Sequence, residues 1–293
     1  MKQTPSLQSF PSLRSLRSFR LIAAGLIAAS LVLATACATS PTGRSQLILK
    51  SDEELQAQGE AAFTQLRAEM PLTTDRTTID FVACVANAIV GQLEGEMAAL
   101  NWELAVVERP EVNAFVLPGG KITVFTGLLK VTENDDQLAA VMGHEVAHVT
   151  ARHPNERASR AVATGYTVGF LSAIVGGTPM ANRSASTAIQ MAAQLGITLP
   201  FTRTQEREAD IVGIEYMARA GFDPRESVAL WKNMRAENKG EPPEFLSTHP
   251  SSEDRIDKLV AHYPVALKLY NEARAAGKAP DCGPKPVIEK PES

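Results

Sequence analysis

Residues 144–153, His-Glu-Val-Ala-His-Val-Thr-Ala-Arg-His, hold three of the chain's five histidines and one glutamate. On a helix, positions four apart differ by only about 40° in direction, so His144 and His148 face the same way one turn apart. Two imidazoles so placed can grip one Zn2+, and Glu145 beside the first can reach a water held by the ion. The chemistry offered is metal-assisted hydrolysis with a carboxylate base. His153 lies nine residues past His144, about 180° round the same helix. It reads as a cation at the helix C-terminus, outside the site.

Two histidines need a third partner. The metzincin pattern would place a glycine and a histidine three and six residues after His148, but Ala151 and Pro154 stand there. A downstream acid is the other solution, and the acids cluster in Thr-Gln-Glu-Arg-Glu-Ala-Asp-Ile-Val-Gly, residues 204–213. Glu206 and Asp210 are four apart and share a helix face, whereas Glu208 points about 200° away from Glu206. A site needs a ligand and a carboxylate to orient the histidine it neighbours. Glu206 as ligand with Asp210 behind it supplies both. Glu208 as ligand is the alternative; otherwise it belongs to a solvated acidic run.

The elements that must position these groups are mostly helical. Ser51 with Glu54 forms a capping-box pattern that opens a helix to about Met70, and a second is expected over 77–93. Residues 102–108, 113–120 and 121–127 are short and β-rich, with a Pro-Gly-Gly turn, and predict a small sheet of about three strands. The histidine helix follows, with acids in its first turn and bases in its last. Further helices are expected over 203–220, 224–238 and 251–276. Residues 161–177 read as a buried or interfacial helix, 177–187 as a loop, and 161–200 as a candidate lid. The fold class is therefore α+β, mainly helical. No tandem repeat, P-loop, dinucleotide fingerprint or nucleophile elbow is present.

The N-terminus reads as an export signal. Lys2, Arg14, Arg17 and Arg20 precede an apolar run, residues 21–36, that ends in small residues. Cys37 follows that run directly, as in a bacterial lipoprotein box, and is the candidate lipidation site; ordinary signal cleavage is the alternative. Residues 1–36 are thus expected to be a signal peptide, 37–50 a linker, and 277–293 a disordered tail. Loss of 1–36 removes those four bases and no acid, which moves the formal net charge from −4 to −8. An acidic chain is a poor fit to nucleic acid. Export to an oxidising compartment would allow Cys84 and Cys282 to form a disulfide.

Four segments, Asn-Ala-Phe-Val-Leu-Pro-Gly-Gly at 113–120, His-Glu-Val-Ala-His at 144–148, Glu-Arg-Glu-Ala-Asp at 206–210 and Ser-Thr-His-Pro-Ser-Ser-Glu-Asp-Arg-Ile at 247–256, together resemble the M48 peptidases. The likeness spans residues 51–265 and is closest to the soluble periplasmic branch, whose peptidase domain hangs from a signal or lipid anchor. Too few residues follow 265 for the TPR array that some members carry. The resemblance implies a zincin-like metallopeptidase domain over 51–276, with a small sheet bordering the cleft. It implies one Zn2+ per subunit, endoproteolysis of misfolded or assembling envelope proteins, and a place in the periplasm, anchored to the outer membrane or soluble. Asn113 and Ala114 fall on the family's edge strand, where an extended substrate could lie. His249 recurs in its motif and would stabilise an oxyanion, fill the fourth zinc position at rest, or be a loop histidine. Arg255 is a weaker candidate for the same cleft, and His262 reads as structural. A zinc-fold chaperone or adaptor for outer-membrane protein assembly is the competing function.

Overall fold

Side-chain caps start four helices of the structure, a computed structural model that describes residues 37–163, 201–237, 243–249 and 254–288. Ser51 accepts the Glu54 N–H at 3.1 Å and opens α1 (Asp52–Glu69). Asp75 does the same for α2 (Arg76–Val90), and Asn134 accepts the Gln137 N–H at 2.8 Å to open α4 (Asp135–Thr150). Thr202 and Gln205 close a reciprocal capping box on α6 (Arg203–Ala220), which ends at the left-handed Gly221. Between them lie the short α3 (Gly95–Ala98) and a helical stretch, α5, described over 153–163. After α6 come α7 (Glu226–Ala236), α8 (Glu244–Thr248) and α9 (Arg255–Ala275).

β3 (Glu103–Val107), β4 (Ala114–Leu117) and β5 (Lys121–Phe125) form the three-stranded sheet in the order β3-β5-β4. β5 runs parallel to β3 and antiparallel to β4, so β4 is an edge. Alternate side chains serve two cores, as a period of two demands. Val106, Ala114, Val116, Ile122 and Val124 face the main core with α2 and α4. Ala105, Val107, Phe115, Leu117 and Phe125 face Phe63 and Leu66 of α1. A mainly helical α+β domain with a small sheet is what the sequence led us to expect.

α4 forms where the histidine helix is expected and lies inside the domain. Every residue from Gln137 to Val149 is buried, because α2, the sheet, α6 and α7 surround it. The site residues therefore enter the centre of the domain.

Two segments differ from the sequence expectations. Residues 37–50 are not a plain linker: β1 (Cys37–Thr39) and β2 (Ser45–Leu47) pair as an antiparallel hairpin turned at the left-handed Gly43. Gln46 donates to the Ala151 carbonyl at 2.7 Å and pins this hairpin beneath the end of α4. The tail beyond 276 is placed as far as 288, because Lys278 donates to Gln92 and to the Arg219 carbonyl, and Cys282 is bonded to Cys84 of α2 with Cα atoms 5.5 Å apart. The expected signal segment 1–36, and all but residues 161–163 of the candidate lid 161–200 and of the apolar stretch 161–177, lie outside the described residues. Among the described residues no helix is long and apolar enough to cross a membrane. His262 meets Glu215 at 3.0 Å, a structural contact of α9 on α6.

The disulfide joins residues 198 apart in sequence, so it removes much of the freedom of the unfolded chain. Reduction, or Cys84→Ser, should lower the unfolding free energy by about 2–4 kcal/mol. Thermal denaturation with and without reductant measures this, and an unchanged Tm would contradict it.

Candidate metal centre

The centre forms where α4 crosses α6. A Cβ added to Gly143 would meet the Gly213 carbonyl oxygen at 2.5 Å, and one added to Gly213 would meet the Gly143 carbonyl carbon at 2.7 Å. Only glycine on both helices permits that approach. It brings His144, next to one glycine, within reach of Asp210 and Glu206, which precede the other by one and two turns.

Four buried side chains, His144, His148, Glu206 and His249, turn donor atoms toward one point, all within 4.8 Å of one another. His144 Nε2 lies 3.1 Å from His148 Nε2, 3.3 Å from His249 Nδ1 and 3.4 Å from Glu206 Oε2. Glu206 Oε1 lies 3.5 Å from His148 Nε2 and 3.1 Å from His249 Nδ1. Donors about 2.1 Å from one tetrahedral ion stand about 3.4 Å apart, so the set is sized for a four-coordinate metal.

The hydrogen bonds behind the rings support the same reading. Asp210 is a carboxylate and can only accept, so the 3.0 Å contact to His144 takes that ring's Nδ1 proton. Glu208 likewise accepts from His153 Nε2 at 3.1 Å, which leaves His153 Nδ1 bare to accept from His148 Nδ1 at 2.9 Å. In the neutral rings, both Nε2 lone pairs then face each other beside a carboxylate. A cation is what such a set lacks.

Glu145 sits beside the donors, with Oε1 3.4 Å from His249 Nε2 and that oxygen without a hydrogen bond. Burial pushes its carboxyl up to about 7, a value suited to taking and returning a proton near neutral pH. Burial acts on Glu206 in the same direction, but the neighbouring His249 and His144 hold it well below the usual carboxylate range. Burial also pulls His148 well below the usual imidazole value, which keeps it in the neutral, metal-ligating form.

Arg255, the weaker candidate from sequence, is buried in the centre. It donates to Asp210 at 2.6 Å and to Glu206 at 3.2 Å while lying 3.4 Å over the Trp231 ring. Phe201 stacks on His148 and Phe245 on His249, with ring centroids 3.9 and 4.5 Å apart. These rings hold the imidazoles in orientation and thin the water around them. No local spacing in the sequence marks Phe201, Trp231 or Phe245, which arrive from three separate segments.

His153 corrects the sequence reading. α4 stops at Thr150, Arg152 adopts a left-handed φ of 54°, and α5 begins at His153. The break swings His153 back onto His148 instead of away from it. It is fully buried, and that burial lowers its pKa, so it is no helix-end cation. Glu208 is corrected with it: instead of a solvated acid it is buried against His153, Thr42 and Arg44.

Asn113 and Ala114 open β4. The Phe125 N–H bonds the Asn113 carbonyl at 3.0 Å, so Asn113 and its alternates spend their main-chain groups on β5. Ala114 and Val116 turn theirs to the free edge, where the Val116 N–H reaches Glu145. Of the two residues, Ala114 supplies the edge.

The sequence profile of peptidase family M48 matches residues 80–262. The chain is 39% identical over 195 residues to the mitochondrial metalloendopeptidase OMA1 of Schizosaccharomyces pombe, covering 64% of this chain and 52% of that one. It is 33% identical over 263 residues to the mitochondrial metalloendopeptidase OMA1 of Bos taurus, covering 84% and 49%. It is 30% identical over 216 residues to the beta-barrel assembly-enhancing protease of Escherichia coli K12, covering 71% and 43%. The chain thus spans about half the length, or less, of these relatives.

If the glycine crossing sets the donor spacing, Gly213→Ala must push α6 off α4. The expected cost is about 1–3 kcal/mol of stability, with metal affinity down at least tenfold by chelator competition. A variant with wild-type Tm and affinity would refute this role for the crossing.

Proposed function

The chain belongs to peptidase family M48, and from that premise we propose that it is a zinc-dependent endopeptidase acting on proteins. One observation carries the reading: Glu145 is buried against the four-donor cluster with one carboxylate oxygen free of hydrogen bonds. A module that only binds needs ligands but no base beside them. The donor set of imidazoles and one carboxylate suits zinc, and one ion per chain is what it can hold.

His144, His148 and Glu206 would hold the ion, with His249 in the fourth place at rest. When bound, zinc supplies Lewis acidity toward a carbonyl and lowers the pKa of water toward ~7. The protein's own groups do the rest. Asp210 and Arg255 hold His144 and Glu206 in place. An extended substrate pairs with the free edge of β4, where Ala114 turns its main-chain groups outward. Glu145 takes a proton from the attacking water and returns it to the leaving amide nitrogen. His249 must move for a substrate carbonyl to enter, and once displaced its imidazole can donate to the developing oxyanion.

The biological setting we propose rests on Cys37, the first of the described residues. Lipidation at Cys37, where β1 begins, would tether the domain at the outer membrane facing the periplasm, after removal of 1–36 as a signal. A soluble periplasmic form is the alternative. Misfolded or assembling envelope proteins are the substrates proposed, a reading supported by the beta-barrel assembly-enhancing protease among the relatives. A zinc-fold chaperone that seldom cuts is disfavoured by the placement of Glu145.

Cleavage of an unfolded protein such as casein should be abolished by a chelator and restored by zinc. Glu145→Gln should retain zinc yet lose about 10^2- to 10^4-fold in kcat. Wild-type turnover by the zinc-loaded variant would sink the proposal.

A further inference from the structure

The two metal-facing histidines of α4 are supported in different ways. His144 gives its Nδ1 proton directly to the Asp210 carboxylate at 3.0 Å. His148 has no carboxylate at its Nδ1; it has the Nδ1 of another imidazole, His153, at 2.9 Å. His153 passes the interaction on through Nε2 to Glu208 Oε2 at 3.1 Å. Glu208 is not held by its own helix. Thr42 donates to its Oε1 through Oγ1 at 2.6 Å, and Arg44 donates to its Oε2 through Nε and Nη2 at 3.1 and 3.0 Å.

Thr42 and Arg44 lie in the turn of the β1–β2 hairpin, far in sequence from every metal-facing residue. Arg44 also forks onto the buried Glu156 of α5, with both contacts at 2.7 Å. Gln205 of α6 donates to the same Glu156 at 3.0 Å. The hairpin, the start of α5 and the start of α6 are thereby locked around one buried imidazole.

We propose that His153, Glu208 and Arg44 form a positioning relay for His148, so that the N-terminal hairpin completes the metal centre. The inference rests on the zinc reading above and extends it to residues that touch no metal. Its chemistry is that of the partner behind a ligating imidazole: a fixed acceptor at Nδ1 sets the tautomer, aims Nε2 at the ion and makes it a better donor. His153 can be that acceptor only while Glu208 takes its other proton, and Glu208 stays in place only while Thr42 and Arg44 hold it. Removal of the hairpin contact should therefore be felt as loose metal, even though the hairpin lies behind His148 and not beside the ion.

The test is zinc affinity of the full chain, by competition with a chromophoric chelator, alongside thermal denaturation of each metal-free variant. His153→Leu fills the space but accepts nothing, and should weaken zinc binding by about 10- to 100-fold. His153→Asn places an oxygen near the Nδ1 position and should recover most of that loss, though it breaks the Glu208 contact equally. Arg44→Met should weaken zinc by a smaller factor, and it serves as the reporter if the buried substitutions do not fold. Equal, wild-type affinity in all three overturns the relay. So does loss of affinity in His153→Leu and His153→Asn alike, since a merely structural role would not separate them. A wild-type chain that binds no zinc would instead overturn the reading on which the relay rests.

Discussion

Gly143 and Gly213 meet backbone to backbone where α4 crosses α6, and the rest of the centre depends on that contact. A methyl group on either helix would stand within 2.5–2.7 Å of main-chain atoms on the other, far inside ordinary packing distance. With the helices this close, side chains one and two turns before Gly213 reach the imidazole beside Gly143. The small sheet, α2 and α7 then close round α4 until every residue from Gln137 to Val149 is buried. Burial of so many polar side chains is costly unless each has a partner. Here Asp210 engages Nδ1 of His144, His153 engages Nδ1 of His148, and Glu208 engages Nε2 of His153.

That bookkeeping of protons links packing to chemistry. His144 and His148 each have Nδ1 committed to an acceptor, so the Nε2 lone pair of each is committed to the centre. Glu145 beside them is a buried carboxyl with one oxygen left unbonded and a pKa raised to about 7. A group kept in that state costs stability, and its placement next to the donors is what gives the hydrolytic reading its force. The aromatic rings of Phe201, Trp231 and Phe245 add no chemistry of their own. They fix ring planes and keep the medium apolar, which strengthens every charge interaction within.

What could be read beforehand was what depends on local spacing. The four-residue interval that aligns His144 with His148, and Glu206 with Asp210, is a property of any helix, and a cap such as Ser51 announces where a helix starts. What could not be read was the point at which a helix stops. The left-handed Arg152 breaks α4 three residues before the pattern suggested, and that single backbone change turns His153 from a bystander into the partner of His148. Once His153 is turned inward, Glu208 must follow, and a residue taken for a solvated acid becomes buried. The hairpin was illegible for a related reason: its three-residue strands are too short to carry a pattern, and Arg44 acts across 164 residues of sequence. Arg255 and the aromatic rings are likewise long-range arrivals. Thus His144, His148 and Glu206 were legible in their local spacing, while His249 came only through the family resemblance and most of the supporting groups were not legible.

The account centres on one ion held by His144, His148 and Glu206. Diffraction at the zinc edge from crystals of the zinc-loaded protein locates that ion directly. The account predicts a single anomalous peak per chain, bonded to Nε2 of His144, Nε2 of His148 and a carboxylate oxygen of Glu206. A peak bonded to Glu208 instead, or one lying outside this cluster, would contradict it.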